Sequence, residues 1–594
     1  MCGLVGEMRF DGLRADVGAV ERAAACLARR GPDDSGVWAR GPVALAHRRL
    51  EIIDLSAAGA QPMIDAALGL TVVFNGCIYN YRELRAELEG AGYHFFSHSD
   101  TEVIIKAYAR WNTACVERLA GMFAFAIVER DTGRVILARD RLGIKPLYLD
   151  HRAARLRFAS TLPALLAGGG TDTGIDRVAL AHYMSFHSVV PAPRTILNGI
   201  RKLPPATIRV VEPDGRTRDR RYWHPKFTRD PARQAWSPGD WQEALVAGLR
   251  AAVARRMVAD VPVGVLLSGG IDSSLLVALL AEAGQPNLTT FSIGFEAAGG
   301  ESGDEFEYSD LVAGHFATNH HRITVDTKRL LPGIEGAVSA MSEPMVSHDC
   351  VAFYLLSEDV SAHVKVVQCG QGADEVLAGY DWYPPLAAVA RADSVEAYAS
   401  VFFDRRHDEL ARLLAPEWMA EADSTTGFIT EQFDQPGAQS TLDAALRNDT
   451  LVMLVDDPVK RVDNMTMAWG LEARVPFLDH ELVELAARIP PELKLAHGGK
   501  GVLKEASRGI VPDAVIDRTK GSFPVPAIRQ LDGAFLERVR QALSDPAAQA
   551  RGLFRRQPVE AMLAAPNETR TVLGANALWQ LGLLEMWLQA MDIS

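Results

Sequence analysis

The sequence has few cysteines, no long apolar run and no excess of positive charge. Its 594 residues include six cysteines, none in Cys-x-x-Cys spacing, which argues against a disulfide framework or a zinc site. No apolar run reaches the roughly 18 residues that a membrane span needs, and the first residues lack the basic and apolar regions of a signal peptide. A net charge of −13 argues against nucleic acid as a partner. We therefore expect a cytoplasmic protein with no membrane and no nucleic-acid partner.

The sequence also lacks the phosphate-binding loop of P-loop ATPases and kinases. That loop needs Gly-x-x-x-x-Gly-Lys followed by Ser or Thr, and Gly498-Gly-Lys-Gly has neither the spacing nor the hydroxyl. The remaining composition, 48% hydrophobic and 23% charged, is ordinary for a globular protein. At this length we expect two to four domains.

One feature that is present is a strand, a glycine turn and a helix start between Val261 and about Ala283. An apolar run ends at Ser268-Gly-Gly and resumes as a helix-compatible run from Ser273. Free backbone N–H groups at such a turn can surround an oxyanion, and Asp272 would repel a phosphate unless Mg²⁺ bridged the two. The pattern favours a bound nucleotide pyrophosphate, although a plain βα turn capped by Asp and Ser gives the same sequence.

A second glycine turn, Cys369-Gly-Gln-Gly-Ala-Asp-Glu, follows another apolar strand. Its Asp374 could share a metal with Asp272 or could cap a helix. Strands alternate with helices in this half, which predicts an α/β fold with a parallel sheet and ligands at the carboxyl ends of its strands. The predicted strands span 261–267, 287–296, 320–325 and 364–369. From about residue 385 the pattern is mostly helical.

Residues 1 to about 225 show short strands separated by glycine, proline and Asn or Asp. Strands outnumber helices, and their hairpin-like spacing predicts an α+β fold of antiparallel sheets covered by helices. The predicted strands include 70–74, 123–128 and 134–139, and the predicted helices include 81–91 and 101–111. The proline-rich segment 225–240 is typical of a domain boundary, and an amphipathic helix follows over 241–256.

Cys2 is the candidate nucleophile of this half. Removal of Met1 would leave a cysteine with both a thiol and a free α-amine. Because the amine has a reference pKa of roughly 7.7–8.0 and the thiol one of about 8.5, the amine could accept the thiol's proton near neutral pH. An incidental cysteine after methionine is the alternative.

Four further residues describe a site for an amino-acid amide. Arg49 could pair with a substrate carboxylate, and Asp100 could hold an ammonium group. The Asn75 amide and the Gly76 N–H could face an oxyanion. Each residue alone also fits a turn, a surface ion pair or a helix cap, but with a thiol they describe amide hydrolysis of a free amino acid.

In these motifs residues 2–223 resemble the class II glutamine amidotransferase domain, and the whole chain resembles the glutamine-dependent asparagine synthetase family. The motifs are Met1-Cys-Gly, Arg30-Gly-Pro-Asp-Asp, His47-Arg-Arg-Leu, Phe74-Asn-Gly-Cys-Ile-Tyr-Asn, Ser99-Asp-Thr-Glu and Asp140-Arg-Leu-Gly-Ile-Lys-Pro-Leu-Tyr. The resemblance implies an N-terminal-nucleophile (Ntn) glutaminase in which Cys2 is the nucleophile and Asn75 and Gly76 form the oxyanion hole. The implied glutamine-binding residues are Arg49, Ile53, Asn75, Gly76, Cys77 and Asp100.

The C-terminal half resembles the ATP pyrophosphatase superfamily. Ser268-Gly-Gly-Ile-Asp-Ser-Ser matches its pyrophosphate loop, and Gly370 to Tyr380 and Leu471-Glu-Ala-Arg-Val-Pro-Phe-Leu-Asp match two asparagine synthetase motifs. The resemblance implies that ATP and Mg²⁺ convert an acceptor carboxylate to an adenylate, with Gln371 and Lys520 at catalytic positions. The implied ATP-binding residues are Leu266, Ser268, Gly269, Gly270, Asp272, Ser273, Ile293, Cys369 and Gly370, and the implied metal ligands are Asp272 and Asp374.

The resemblance also implies the domain layout and the partners. The expected domains are a glutaminase over 2–225, a linker over 226–240 and a synthetase over 241–594. The expected substrates are glutamine and a small molecule or dipeptide that carries a carboxylate, with an enclosed passage for ammonia between the two sites. A homodimer is implied by relatives alone.

Two motifs depart from the usual asparagine synthetase pattern. Asn-Gly-Glu becomes Asn75-Gly-Cys, which removes a carboxylate expected near the ammonium of glutamine, and Gly-Glu-Gly-Ser-Asp-Glu becomes Gly370-Gln-Gly-Ala-Asp-Glu. With Ser342-Glu-Pro-Met-Val-Ser-His-Asp, these segments resemble the N-acetylglutaminylglutamine amidotransferases, which amidate a dipeptide to give a bacterial osmolyte. Aspartate as the acceptor is an alternative, as are other amidating or ring-closing relatives and a catalytically dead glutamine-sensing protein.

Overall fold

A computed structural model describes residues 2–296, 304–519, 521 and 525–594. It confirms the predicted fold classes: antiparallel sheets with helices in the N-terminal half (residues 2–223), and a parallel sheet with helices in the C-terminal half (residues 238–594). Among the described residues, no helix combines the length and the apolar character needed to cross a membrane.

The N-terminal half consists of two six-stranded antiparallel sheets, with strand orders β10-β8-β9-β1-β3-β2 and β12-β11-β7-β6-β5-β4. The strands are β1 (Gly3–Arg9), β2 (Asp34–Arg40), β3 (Val43–Arg49), β4 (Met63–Asp65), β5 (Leu70–Ile78), β6 (Gly121–Glu129), β7 (Val135–Arg139), β8 (Tyr148–Arg152), β9 (Arg155–Ala159), β10 (Arg201–Lys202), β11 (Thr207–Val211) and β12 (Thr217–Arg221). The helices are α1 (Val17–Cys26), α2 (Tyr81–Gly90), α3 (Asp100–Trp111), α4 (Cys115–Arg118), α5 (Leu162–Gly168) and α6 (Arg177–Ser185).

The two sheets pack face to face, and helices cover their outer faces. Leu4 and Leu45 of one sheet meet Val73 and Leu137 of the other in a buried apolar layer. Helices α1 and α5 cover the first sheet, and α3 covers the second. This stacking brings the start of β1 close to the end of β5, where the predicted nucleophile and oxyanion residues lie.

The C-terminal half is built on a five-stranded parallel sheet with the order β15-β14-β13-β16-β17. Its strands are β13 (Val263–Leu266), β14 (Thr289–Phe295), β15 (Asn319–Val325), β16 (Val366–Gln368) and β17 (Glu472–Arg474). Because β13 and β16 are neighbours, the glycine turns that follow them lie side by side, and a Cβ on Gly370 would lie 2.9 Å from the Asp272 Cβ.

Helices cover this sheet and form the rest of the C-terminal half. They are α7 (Pro238–Arg255), α8 (Ile271–Glu282), α9 (Phe306–His315), α10 (Thr327–Ala340), α11 (Asp349–Ser361), α12 (Ala373–Leu377), α13 (Tyr383–Leu386), α14 (Ser394–Phe402), α15 (His407–Leu413), α16 (Ser424–Asp434), α17 (Thr441–Asn448), α18 (Lys460–Met467), α19 (His480–Ala486), α20 (Pro491–Leu495), α21 (Gly501–Ala506), α22 (Asp513–Ile516), α23 (Pro526–Arg529), α24 (Gly533–Ser544), α25 (Pro546–Arg551), α26 (Arg556–Ala564) and α27 (Ala577–Ala590).

The segment between the halves is packed against the C-terminal half. Phe227 is buried and forms an isolated bridge with Ala438. Helix α7 begins at Pro238, within the segment 226–240 that the sequence suggests as a linker, because Ser237 and Asp240 form a capping box there.

Buried ion pairs also join the two halves. Asp463 on α18 accepts hydrogen bonds from Arg30 (2.8 Å) and Lys145 (3.0 Å) of the N-terminal half. Burial alone would raise the pKa of Asp463, but the two cations outweigh it and lower that pKa to about 2. The charges therefore fix one orientation of the two halves.

Candidate active sites

The first site is a pocket around Cys2. Cys2 directly precedes β1, its N–H donates to Asn75 Oδ1 (3.1 Å), and its Sγ lies 4.0 Å from Leu50 O. Burial raises the pKa of the Cys2 thiol, so proton removal needs a base. The predicted residues Arg49, Ile53, Gly76, Cys77 and Asp100 all line this pocket with Cys2.

Asn75 and Gly76 at the end of β5 have the features of an oxyanion site. Asn75 Nδ2 is buried without a hydrogen-bond partner among the described residues, and an unpaired buried N–H is costly unless a ligand uses it. Gly76 has φ +154°, and a Cβ there would lie 2.1 Å from Met122 O. The backbone can therefore adopt this path only with glycine.

Arg49 and Asp100 provide opposite charges in this pocket. The Arg49 guanidinium is buried and donates to Glu51 (3.2 Å) and to the carbonyls of Ser56 (3.0 Å) and Asp54. Asp100 is the first residue of α3, and its Oδ2 accepts the Ile78 N–H (2.9 Å). Burial raises the pKa of Asp100 to about 6. A zwitterionic amino acid has one partner for each of its charged ends here.

Sequence reasoning missed two residues of β17 at this pocket. Glu472 lines it, although the strand belongs to the C-terminal half. Arg474 Nε donates to Glu472 Oε1 (2.6 Å), and its Nη2 lies 3.7 Å from Cys77 Sγ. Both residues fall in the motif 471–479, which could have drawn attention to them but gave no indication of which half they face.

The second site is a cleft of about 280 Å³ at the carboxyl ends of β13, β14 and β16. The predicted residues that line it are Leu266, Ser268, Gly270, Asp272, Ser273, Ile293, Cys369, Gly370, Gln371 and Asp374. Gly269 belongs to the same turn but is absent from the lining: it has φ +76°, and a Cβ there would lie 2.8 Å from Ser309 N. The predicted catalytic Lys520 lies outside the described residues.

Lys500 bridges the two predicted metal ligands. Its Nζ lies 2.6 Å from Asp272 Oδ2 and 2.9 Å from Asp374 Oδ1. Burial opposes the charge of Lys500, but the two carboxylates outweigh burial and raise the pKa of its ammonium. Lys500 itself has φ 54° and precedes α21. Lys500 lies in the run Gly498-Gly-Lys-Gly, which does not match a P-loop. This glycine-rich run is the local sequence feature at the position of Lys500.

The two aspartates fit a Mg²⁺ ion that is shared with a polyphosphate. One cation already contacts both carboxylates, so their oxygens converge on a single point. Mg²⁺ is commonly held by one or two carboxylates, substrate phosphates and water. Across the described residues, no group of three or more His, Cys, Asp or Glu could hold a metal without such help.

Other charged residues complete the cleft beyond those predicted. Arg518 donates to Gly269 O (3.0 Å) and to Glu305 Oε1 (2.5 Å). Lys504 and Asp349 also line the cleft. These residues come from segments far apart in sequence, and their side chains could contact phosphates or an acceptor molecule.

Comparison with known proteins identifies the family. The asparagine synthase family profile matches residues 244–589, and the glutamine amidotransferase domain profile matches residues 1–223. The chain is 30% identical to glutamine-hydrolysing asparagine synthetase 3 of Bacillus subtilis over 88% of this chain and 87% of that protein. It is 31% identical to asparagine synthetase 1 of the same organism over 92% and 90%, and 29% identical to asparagine synthetase B of Escherichia coli over 88% and 82%. The chain therefore belongs to the asparagine synthase family of glutamine-dependent amidotransferases.

Proposed function

We propose that the chain amidates a dipeptide, N-acetylglutaminylglutamine, with ammonia from glutamine and energy from ATP. This choice of acceptor rests on Gln371, which lines the cleft together with Asp374. The asparagine synthetase pattern has a glutamate at the position of Gln371. A neutral amide there removes a negative charge and a proton acceptor from the place where the acceptor carboxylate would react.

The first half-reaction is hydrolysis of glutamine at Cys2. The Cys2 thiolate attacks the side-chain amide carbon, and the α-amine left by removal of Met1 accepts the thiol proton. Asn75 Nδ2 and the Gly76 N–H stabilise the oxyanion. The C–N bond then breaks, the Cys2 ammonium gives its proton to the leaving nitrogen, and ammonia departs to leave a thioester. Water hydrolyses the thioester to glutamate and restores the Cys2 thiol. Arg49 pairs with the carboxylate of glutamine and Asp100 with its ammonium, which holds the amide beside the thiol.

The second half-reaction takes place in the cleft of the C-terminal half. The turn from Ser268 to Ser273 binds the pyrophosphate part of ATP through its N–H groups. Asp272 and Asp374 would hold Mg²⁺, which when bound neutralises negative charge on the pyrophosphate. The acceptor carboxylate attacks the α-phosphorus of ATP, and pyrophosphate leaves to give an acyl-adenylate. Ammonia then attacks the acyl carbon, AMP leaves, and the amide forms, while the cleft keeps water from the acyl-adenylate anhydride.

Aspartate is the second candidate acceptor, because the relatives above are named asparagine synthetases. A glutamine sensor without activity is a third, with Cys77 and Gln371 as its only support. Pyrophosphate release should be measured with ATP, Mg²⁺ and glutamine, and with either N-acetylglutaminylglutamine or aspartate. Release with the dipeptide supports the proposal, and release with aspartate alone overturns it. Release with either acceptor excludes the inactive sensor.

A further inference from the structure

The pocket around Cys2 contains one acidic side chain from the other half of the molecule. Among its described lining residues, all come from the first 101 residues except Glu472. Glu472 is 1% exposed, and it is held by Arg474, whose Nε donates to it at 2.6 Å. A carboxylate buried this deeply, at the wall of a substrate pocket, needs a reason beyond a surface ion pair.

Glu472 and Asp100 place two buried carboxylates on one pocket. Asp100 is 5% exposed, and its pKa is raised first by burial and further by the negative charge of Glu472, against the hydrogen bond from Ile78 and the charge of Arg474. Arg474 offsets part of this negative charge, and the two carboxylates favour a further cation in the pocket. The ammonium of an amino acid is a cation with several donors to share.

Residue 77 supplies no carboxylate to this pocket. The asparagine synthetase pattern has glutamate at this position, and here Cys77 lines the pocket with a thiol whose pKa burial raises, so it is neutral. Arg474 Nη2 lies 3.7 Å from that thiol. Compared with the asparagine synthetase pattern, the pocket therefore lacks a negative charge on β5, and it has one on β17.

We infer that Glu472 binds the α-ammonium of glutamine together with Asp100, in a pocket where residue 77 is not a carboxylate. This role rests on the proposed function and makes glutamine recognition depend on both halves. Strand β17 pairs with β16, and the Cys369 N–H donates to Arg474 O (2.9 Å) at the start of the second glycine turn. The strand that contacts the glutamine ammonium thus also supports the ATP cleft.

The test compares glutamine with 4-carbamoylbutanoate, which is glutamine without its α-amino group. In Glu472→Gln, kcat/KM for glutamate release from glutamine should fall about 10- to 100-fold, as for loss of a hydrogen bond to a charged group. The kcat/KM for 4-carbamoylbutanoate should stay within about twofold of the parent value, because that substrate has no ammonium to bind. A structural role for Glu472 would lower both values together, and that result would overturn the inference.

Two further variants guard against loss of folding. Glu481→Gln removes an exposed carboxylate of α19 that pairs with Arg255, and it should behave as the parent does. Adding Cys77→Glu to Glu472→Gln should restore preference for glutamine, since it returns a carboxylate to the pocket beside Arg474.

Ammonium-dependent pyrophosphate release by Glu472→Gln reports on the intact C-terminal half. Failure of the proposed function is a different result: the parent chain itself would release no glutamate from glutamine, and the inference would fall with it.

Discussion

The glutamine pocket and the ATP cleft show two ways of preparing a site for its substrate. In the pocket, Asn75 Nδ2 is a buried donor beside Cys2 and has no hydrogen-bond partner in the part of the chain that the structure describes. In the cleft, the charged groups pair with one another, since Lys500 contacts both Asp272 and Asp374. The oxyanion donor of the pocket is thus available before glutamine binds, whereas a cation that binds between Asp272 and Asp374 must displace Lys500.

The largest expected effect separates the two sites completely. Cys2→Ala should lower glutamate release from glutamine by about 10⁴-fold or more, because the nucleophile is lost. Amide formation with added ammonium salt should survive in this variant. The exposed Cys26 at the end of α1 offers the matched control, Cys26→Ala, which should retain both activities. Parent-level glutamine hydrolysis by Cys2→Ala would disprove the assignment of the nucleophile.

The converse variant acts on the cleft. Asp272→Asn should lower ATP-dependent amide formation by about 10³-fold, equivalent to several kcal/mol of lost charge stabilisation, while glutamine hydrolysis continues. Pyrophosphate and glutamate release, measured in parallel, give both quantities. Asp513→Asn changes an exposed aspartate that pairs with Arg508 and should alter neither rate. Unchanged amide formation in Asp272→Asn would exclude a role for this carboxylate in metal binding.

The difference between the two sites can be tested at Lys500, which pairs with both aspartates of the cleft. Lys500→Met leaves Asp272 and Asp374 without their shared cation, which should destabilise the chain by about 2 kcal/mol, less than for a fully buried pair because the aspartates are 20% and 21% exposed. Mg²⁺ alone should then raise the Tm of this variant and leave the Tm of the parent almost unchanged.

The control for Lys500→Met is Lys226→Met, which removes an exposed lysine from the segment between the halves. It should keep the parent's Tm and its response to Mg²⁺. An equal response of Lys500→Met and the parent to Mg²⁺ would show that Lys500 does not occupy the cation position.

The sequence predicted the elements that carry local signatures. The strand before Ser268, the two glycine turns and the residues around Cys2 could be placed because each follows from a short motif or a local period. The structure brings most of the predicted residues together in one pocket and one cleft, and their chemical roles stay predictions. Gly269 belongs to the motif but does not line the cleft, because its backbone packs against α9. The motif alone does not predict this contact.

Glu472 and Lys500 could not be placed from the sequence. Glu472 reaches the Cys2 pocket only because β17 lies at the edge of the parallel sheet and the halves dock in one orientation. Lys500 reaches Asp272 from 228 positions away, by way of a left-handed backbone conformation after a glycine pair. Both placements depend on sheet order and docking, which no local pattern encodes.

The smallest expected effect is a pH dependence confined to the pocket. Asp100, with a pKa of about 6, is ionised above pH 6 and neutral below it, so the ammonium of glutamine loses a partner as the pH falls. The KM for glutamine should therefore rise about tenfold between pH 7.5 and pH 5, as expected for one titrating group. The KM for 4-carbamoylbutanoate should not rise over that range, because it has no ammonium to lose a partner. Parallel changes for the two substrates would place the titrating group on the nucleophile and not on Asp100.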